Sequence, residues 1–304
     1  MKQPLRIWSP VVLSTLAALI GAPAHGQAGK PAPPLKVGVT LHPYYSWTAN
    51  VVRDTGVEVR PILPGEIDAG DYQPRPQDIQ KITDLDAIVI NGVGHDDFIM
   101  GMIEASGNHK ISVIRPNERV PLLKAANGGN SVNSHTFISF SNAITQTYAI
   151  AKSLGALRPE LAEKFSSNAA EYAQRLRAMK SRAAARLVDA KVTRVVTVHD
   201  GYGYLMQEFG IDIAGVVEPA HGLIPSAQEL GKMVDLLNRE HITVVFAEES
   251  FPEPLLRVLR EEGHAKVYLI SHIASGAFTP DRFETEMQKN VDSIVKALVT
   301  DSGT

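Results

Sequence analysis

The sequence predicts an α/β protein of two lobes, each with a mostly parallel four-stranded sheet flanked by helices, joined by one long connecting helix. Three observations carry this. From Leu35 onward, short β-branched runs alternate with amphipathic stretches, as parallel strands buried on both faces require. The same order of elements returns in the second half. Between the halves, Ser139 to Ala190 is rich in Ala, Glu, Arg and Lys and has almost no helix breakers after Pro159.

In the first half, Leu35–Leu41 reads as a strand, Tyr44–Asp54 as a helix and Val57–Leu63 as a second strand. Arg75–Leu85 is a helix, Ala87–Ile90 a third strand, Asp96–Ala105 a helix and Lys110–Ile114 a fourth strand. Ala162 to Val188 reads as one continuous helix, or else as part of an ordinary two-helix insertion; one helix of about 25 residues reaches roughly 40 Å, enough to back both lobes. Strands follow at Thr193–Val198, Ile211–Val217, Ile242–Phe246 and Lys266–Ile270. Helices at Tyr204–Phe209, Ser226–Arg239, Pro254–Glu262 and Arg282–Leu298 intervene or close the chain. The resulting division is an N-terminal lobe over 35–158, a connecting helix over 159–190 and a C-terminal lobe over 191–304. The loop 127–133 (Asn-Gly-Gly-Asn-Ser-Val-Asn) is the expected moving part, because small polar residues bury little surface.

The first 26 residues stand outside this plan. Lys2 and Arg6 precede an apolar run from Val11 to Ala22, and small residues around Ala22 and Ala24 offer a cleavage site. This is the layout of a cleavable signal peptide, so the expected location is the periplasm. No Cys follows the run, which excludes a lipoprotein anchor; residues 27–34 read as a disordered leader. Losing Lys2 and Arg6, with no acid lost, moves the net charge of the 304-residue chain from −3 to −5. A mildly acidic chain argues against nucleic acid as a partner. The absence of cysteine excludes disulfide frameworks, thiolate zinc fingers, iron–sulfur clusters and a Cys nucleophile.

Ligands of open parallel sheets bind beyond the carboxyl ends of the strands. Those ends carry His42 and His199 after the first strand of each half, Asn91-Gly-Val-Gly-His95 and Glu248-Glu249 after the third, Asp68 and Asp71 against Glu218 and His221 after the second, and His272 after the fourth. Any one histidine is ordinarily a structural or surface residue, and His109, His241 and His264 are read so. His42 and His199, at equivalent ends facing one cleft, together with His135 between the lobes, bring imidazoles together. A His-dominated, thiol-free set with carboxylates nearby fits zinc, with manganese as the alternative wherever Asp68, Asp71, Glu248 or Glu249 enters. The aromatics Tyr44, Tyr45, Trp47, Tyr202 and Tyr204 either line a larger cleft or pack onto the sheets.

At these residues the chain resembles the cluster A-I solute receptors of zinc and manganese ABC importers. Leu63-Pro-Gly65 with Asp68-Ala-Gly-Asp-Tyr-Gln-Pro74 is similar to that family's Pro-Gly…Asp-Pro-His-Glu-Tyr-x-Pro segment, and Asp86-Ala-Ile-Val-Ile-Asn-Gly92 to its third strand. Asn133-Ser-His135 resembles its Asp-Pro-His motif, His199-Asp-Gly-Tyr-Gly-Tyr204 its His-Asp-Ala-Phe-Gly-Tyr motif, and Phe246-Ala-Glu-Glu249 its Phe-x-Glu-Pro-Gln strand. The resemblance implies two lobes around an interlobe metal site, with His135 and His199 as second and third ligands. Where the family has its first histidine this chain has Asp68-Ala69-Gly70, so His42 is expected to replace it, and His272 to replace the family's last acidic ligand. The expected site is therefore His42, His135, His199 and His272. Glu248, Glu249, Asp200 and Asp68 serve as further ligands or as acceptors for the imidazole N–H groups, with His95 and His221 peripheral. The implied partners are a permease in the inner membrane and a metallochaperone; the receptor itself is expected to be a monomer and not an enzyme. A secreted zinc-dependent hydrolase is the rival reading, although H-E-x-x-H and G-x-S-x-G are both absent.

Overall fold

In the computed structural model, which describes Met1 and residues 33–126, 131–218 and 222–301, each half of the chain builds one parallel sheet. The expected signal segment, most of the leader, residues 127–130 of the expected moving loop and His221 lie outside the described residues.

The first sheet contains β1 (Lys36–Val39), β2 (Glu58–Pro61), β3 (Ala87–Val89) and β4 (Ser112–Ile114) in the order β2-β1-β3-β4. The second contains β5 (Arg194–Thr197), β6 (Asp212–Val216), β7 (Val244–Ala247) and β8 (Lys266–Leu269) in the order β6-β5-β7-β8. All pairs are parallel, with Val37 opposite both Val59 and Ala87, and Phe246 opposite Thr197 and Tyr268. Strand order reverses between β1 and β3 and again between β5 and β7. Those two switch points open crevices at the carboxyl ends of the strands.

Period-two alternation sends successive residues of the central strands β3 and β7 into cores on opposite faces of their sheets. Ala87 and Val89 enter a core shared by both lobes, while Ile88 and Ile90 enter a separate cluster with Ile62 and Ile99. In β7, Val244 and Phe246 join the shared core, and Val245 and Ala247 pack with Leu230, Leu256 and Leu259.

Helices α1 (His42–Val51), α2 (Pro76–Ile79) and α3 (Phe98–Ser106) belong to the first half. The amphipathic stretch expected as a helix over 75–85 is helical only through Ile79. It then tightens into turns, because Lys81 and Ile82 donate three residues back and the Thr83 hydroxyl takes the Gln80 carbonyl. α4 (Phe140–Leu157) starts on a Ser139 side-chain cap and packs along α5 (Ala162–Leu187). α5 also touches α1 of one lobe and α9 (Arg282–Val295) of the other, so this 26-residue helix, about 39 Å long, backs both sheets. α6 (Gly203–Glu208), α7 (Ala227–Arg239) and α8 (Glu253–Glu261) complete the second half.

The lobes are also stitched face to face. Gly276 N donates to Gly65 O at 2.7 Å, Ser46 Oγ to Thr279 O at 2.9 Å, and Asn50 Nδ2 to Pro280 O at 2.8 Å. The first of these contacts needs glycine at 65, since a Cβ there would stand 2.4 Å from the Gly276 oxygen.

Candidate metal centre

Six side chains from five strand ends and the interlobe segment form a ring between the lobes. Asp68, after β2, places Oδ1 3.1 Å from His95 Nε2 and Oδ2 2.5 Å from His272 Nε2. Glu248, after β7, places Oε1 2.8 Å from His272 Nδ1 and 3.2 Å from His199 Nδ1. His135 closes the ring: its imidazole centroid lies 4.8 Å from that of His95 and 4.6 Å from that of His199. The His199 and His272 rings are 4.9 Å apart, and donor atoms of His199, Glu248 and His272 all lie within 4.8 Å of one another.

The ring has an enclosed face and an open one. His95, His135 and His199 are buried, whereas Asp68, Glu248 and His272 line a cleft of about 620 Å³ between the lobes. Glu66, Asp71 and Glu249 make its mouth acidic, and the Lys289 ammonium in its wall is paired with Glu286 at 2.9 Å.

Neighbouring groups fix the orientation of the rings. The Asn133 carboxamide oxygen accepts from the His135 backbone N–H at 3.0 Å and from its ring Nδ1 at 3.1 Å. That contact selects the tautomer in which Nε2 is the basic nitrogen. The Tyr202 hydroxyl donates to Glu248 at 2.8 Å, and the Tyr204 hydroxyl donates to the Asn133 carbonyl at 2.8 Å. Both tyrosines are buried, as are Tyr44 and Trp47; these aromatics pack and anchor instead of lining the cleft.

The electrostatics follow from placing two carboxylates among four imidazoles. Burial would lower the His272 pKa, but Glu248 and Asp68 outweigh it and hold it up, to about 10. Burial would raise Asp68, yet hydrogen bonds from His272 and His95 hold it far below the usual carboxylate range. Glu248 is likewise held low against burial, by His272 and then His199. The His272 proton is thus held between two carboxylates, and those two anions suit a +2 charge.

The structure brings His135, His199, His272, Asp68 and Glu248 together and adds His95, which the sequence reading treats as peripheral. It does not bring in His42. That residue opens α1, its Nε2 lies 2.9 Å from Gly276 O, and its ring stacks on Phe278 at 4.0 Å with planes 3° apart. Burial first of all lowers its pKa, against the raising effect of the Gly276 carbonyl. It is an interlobe contact residue, and the expectation that it supplies the missing imidazole is corrected to that extent. Asp200 accepts from Ala126 N at 2.9 Å, tying the flank of the 127–133 loop to the second lobe; it does not orient a histidine ring. Glu249 is exposed at the cleft mouth. Both residues follow strands that flank the switch point, so topology does not separate them. His42 is the first residue of α1 and turns to Gly276, whereas His95 lies on the loop that Asp96 closes onto Asn91 and Gly92.

Residues 37–297 match the family described as zinc-uptake complex component A, periplasmic. The solute-binding protein FpvC of Pseudomonas aeruginosa in its nickel complex is 43% identical, with a TM-score of 0.83 over 89% of this chain and 98% of that one. Its manganese complex matches at 43% identity and a TM-score of 0.83, over 88% of this chain and 100% of that one. The zinc-binding protein AdcA of Streptococcus pyogenes is 25% identical over 296 residues, which is 88% of this chain and 56% of AdcA. The chain therefore spans about half the length of that relative. With two parallel four-stranded sheets, a long helix behind them and a match that covers nearly all described residues, this chain belongs to the periplasmic zinc-uptake component A family, which comprises transport components and not enzymes.

Proposed function

We propose that this protein is the periplasmic receptor of an ABC importer, capturing one divalent transition-metal ion between its lobes and delivering it to a permease in the inner membrane. The observation that carries the reading is the ring of four imidazoles and two carboxylates at the switch points of two sheets. Zinc is the proposed cargo. His95, His135, His199 and His272 provide four nitrogen donors, for which Zn–N distances of about 2.0–2.1 Å are normal. Asp68 and Glu248 then accept imidazole N–H groups and offset the ion's charge. Manganese is the alternative, and it would draw Asp68 and Glu248 into its own shell.

The units that do this work are the N-terminal lobe over 35–158, the connecting helix over 159–190 and the C-terminal lobe over 191–304, exported by a signal peptide over 1–26. A metallochaperone is a further proposed partner. Capture exchanges ring protons for the ion. Release follows when contact with the permease separates donors of one lobe from those of the other.

The test is the metal content of the mature protein, purified without tags or chelators, followed by competitive titration with zinc, manganese and nickel. One zinc per chain is expected, with His135→Ala and His199→Ala each weakening affinity at least tenfold, about 1.4 kcal/mol. A manganese preference would keep the receptor and change its cargo. No stoichiometric metal, or no effect of either substitution, would overturn the site.

A further inference from the structure

We infer that Asp96 is a positioning residue for metal binding, setting His95 into the ring; this rests on the receptor reading above. Asp96 is fully buried, and its carboxylate faces backbone and hydroxyl donors on two neighbouring strand ends. Oδ2 accepts from Thr40 Oγ1, beyond β1, at 2.5 Å and from Asn91 N, beyond β3, at 2.6 Å; Oδ1 accepts from Gly92 N at 2.9 Å. A buried carboxylate that takes three donors is a fixed point, because each donor it releases exposes an unsolvated charge.

The consequence falls on the adjacent residue. The chain from Asn91 to Asp96 is a short loop whose first peptides and last side chain are tied to each other, with Gly92 in the left-handed region at φ +67° and Gly94 at φ +107°. His95 sits at the closed end of this loop. The loop that the Asp96 clamp closes therefore presents the His95 ring to Asp68 and His135. Asn91 extends the same clamp to the second ligand segment, since its Nδ2 donates to Ser134 O at 3.0 Å, one residue before His135. Asp96 touches neither ring in these contacts; it acts through the loop.

The experiment uses the mature chain with Co²⁺ as the probe, following visible absorption and titration for wild type, His95→Ala, Asp96→Asn and the double variant. Asp96→Asn places an amide against donors and loosens the loop. It is expected to weaken Co²⁺ binding about tenfold and to give the spectrum of His95→Ala, with no further loss in the double variant. A residue that serves the fold alone would lower the melting temperature and leave the wild-type spectrum; that result, or losses that add, overturns the proposal. If Asp96→Asn does not fold, Thr40→Val removes only the hydroxyl donor and should move spectrum and affinity the same way by a smaller amount; a wild-type spectrum there also overturns it. Wild-type protein that takes up neither Co²⁺ nor zinc would overturn the receptor reading itself, a result distinct from the one that removes Asp96 alone.

Discussion

Asp68 stands between His95 and His272 and gives one carboxylate oxygen to each ring, Oδ1 at 3.1 Å and Oδ2 at 2.5 Å. It occupies the segment in which the resembled family carries a histidine. This carboxylate joins an enclosed imidazole to one lining the open cleft, so in the proposed site it would support two of the four nitrogen donors. Asp68→Asn keeps the shape and removes the charge. Zinc affinity is expected to fall at least tenfold, about 1.4 kcal/mol, measured by competition with a chromophoric chelator. Unchanged affinity would show that the bridge plays no part in binding.

The pH dependence of the metal-free protein follows from the same bridge. His272 titrates ordinarily at 6.5 and in the fold at about 10, so its contribution to stability is complete below pH 6.5 and disappears as pH rises through 10. Asp68 and Glu248 run the other way. Their folded pKa values lie below the ordinary 3.8 and 4.5, so their contribution is present above that range and is lost as acid protonates them. Metal-stripped protein should therefore show its highest melting temperature near neutral pH or just below, falling toward pH 10 and toward pH 3, as followed by circular dichroism. A melting temperature that is level from pH 7 to 10 would remove the elevated histidine. Apparent zinc affinity should rise over the same alkaline interval as the His272 proton becomes easier to displace.

His42→Ala separates the interlobe contact from the metal. Its loss removes a buried hydrogen bond to Gly276 and a stacked partner of Phe278. The expected cost is about 1–3 kcal/mol of unfolding free energy, read from urea denaturation, with metal stoichiometry kept at one. Loss of stoichiometric metal in a folded variant would place His42 back among the ligands.

Gly201 tests how closely the rings are fitted. A Cβ at this position would lie 2.8 Å from the His199 ring and 3.2 Å from Cδ2 of His135. The resembled motif has Ala there. Gly201→Ala should displace the His199 ring and weaken zinc binding about tenfold with little change in melting temperature, since the neighbouring atoms belong to side chains and can move. Wild-type affinity would mean that the rings hold their donors with room to spare.

The strands were legible because Val37–Val39, Val195–Val196 and Val244–Ala247 are short β-branched runs buried on both faces, set between amphipathic stretches. The connecting helix was legible because Ala162 to Leu187 contains neither Pro nor Gly. Helix length over 75–85 was not legible, because local side-chain bonds at Thr83 decided it. The site divides along the same line. Which strand ends carry histidine is written in the sequence, but where each ring points is not. His42 is the first residue of a helix and is turned by that helix toward Gly276, whereas His95 hangs on a loop folded back by Asp96. The first outcome depends on Gly276, 234 positions away, and the second on Asp96 next door together with Thr40, 56 positions before it.

The helix α5 rests against α1 of one lobe and α9 of the other, and this has a consequence for how tightly an ion can be held. Donors carried by separate lobes behave as a chelate whose effective concentration is set by the tether between them. A stiff strut of about 39 Å keeps that concentration high before any ion arrives, so the ordering cost of assembling the ring is met during folding and not at binding. Affinity is thereby built into the scaffold. Cutting the chain near residue 160, with both halves still present in solution, should leave every ligand in place and yet make capture depend on the concentration of the two halves.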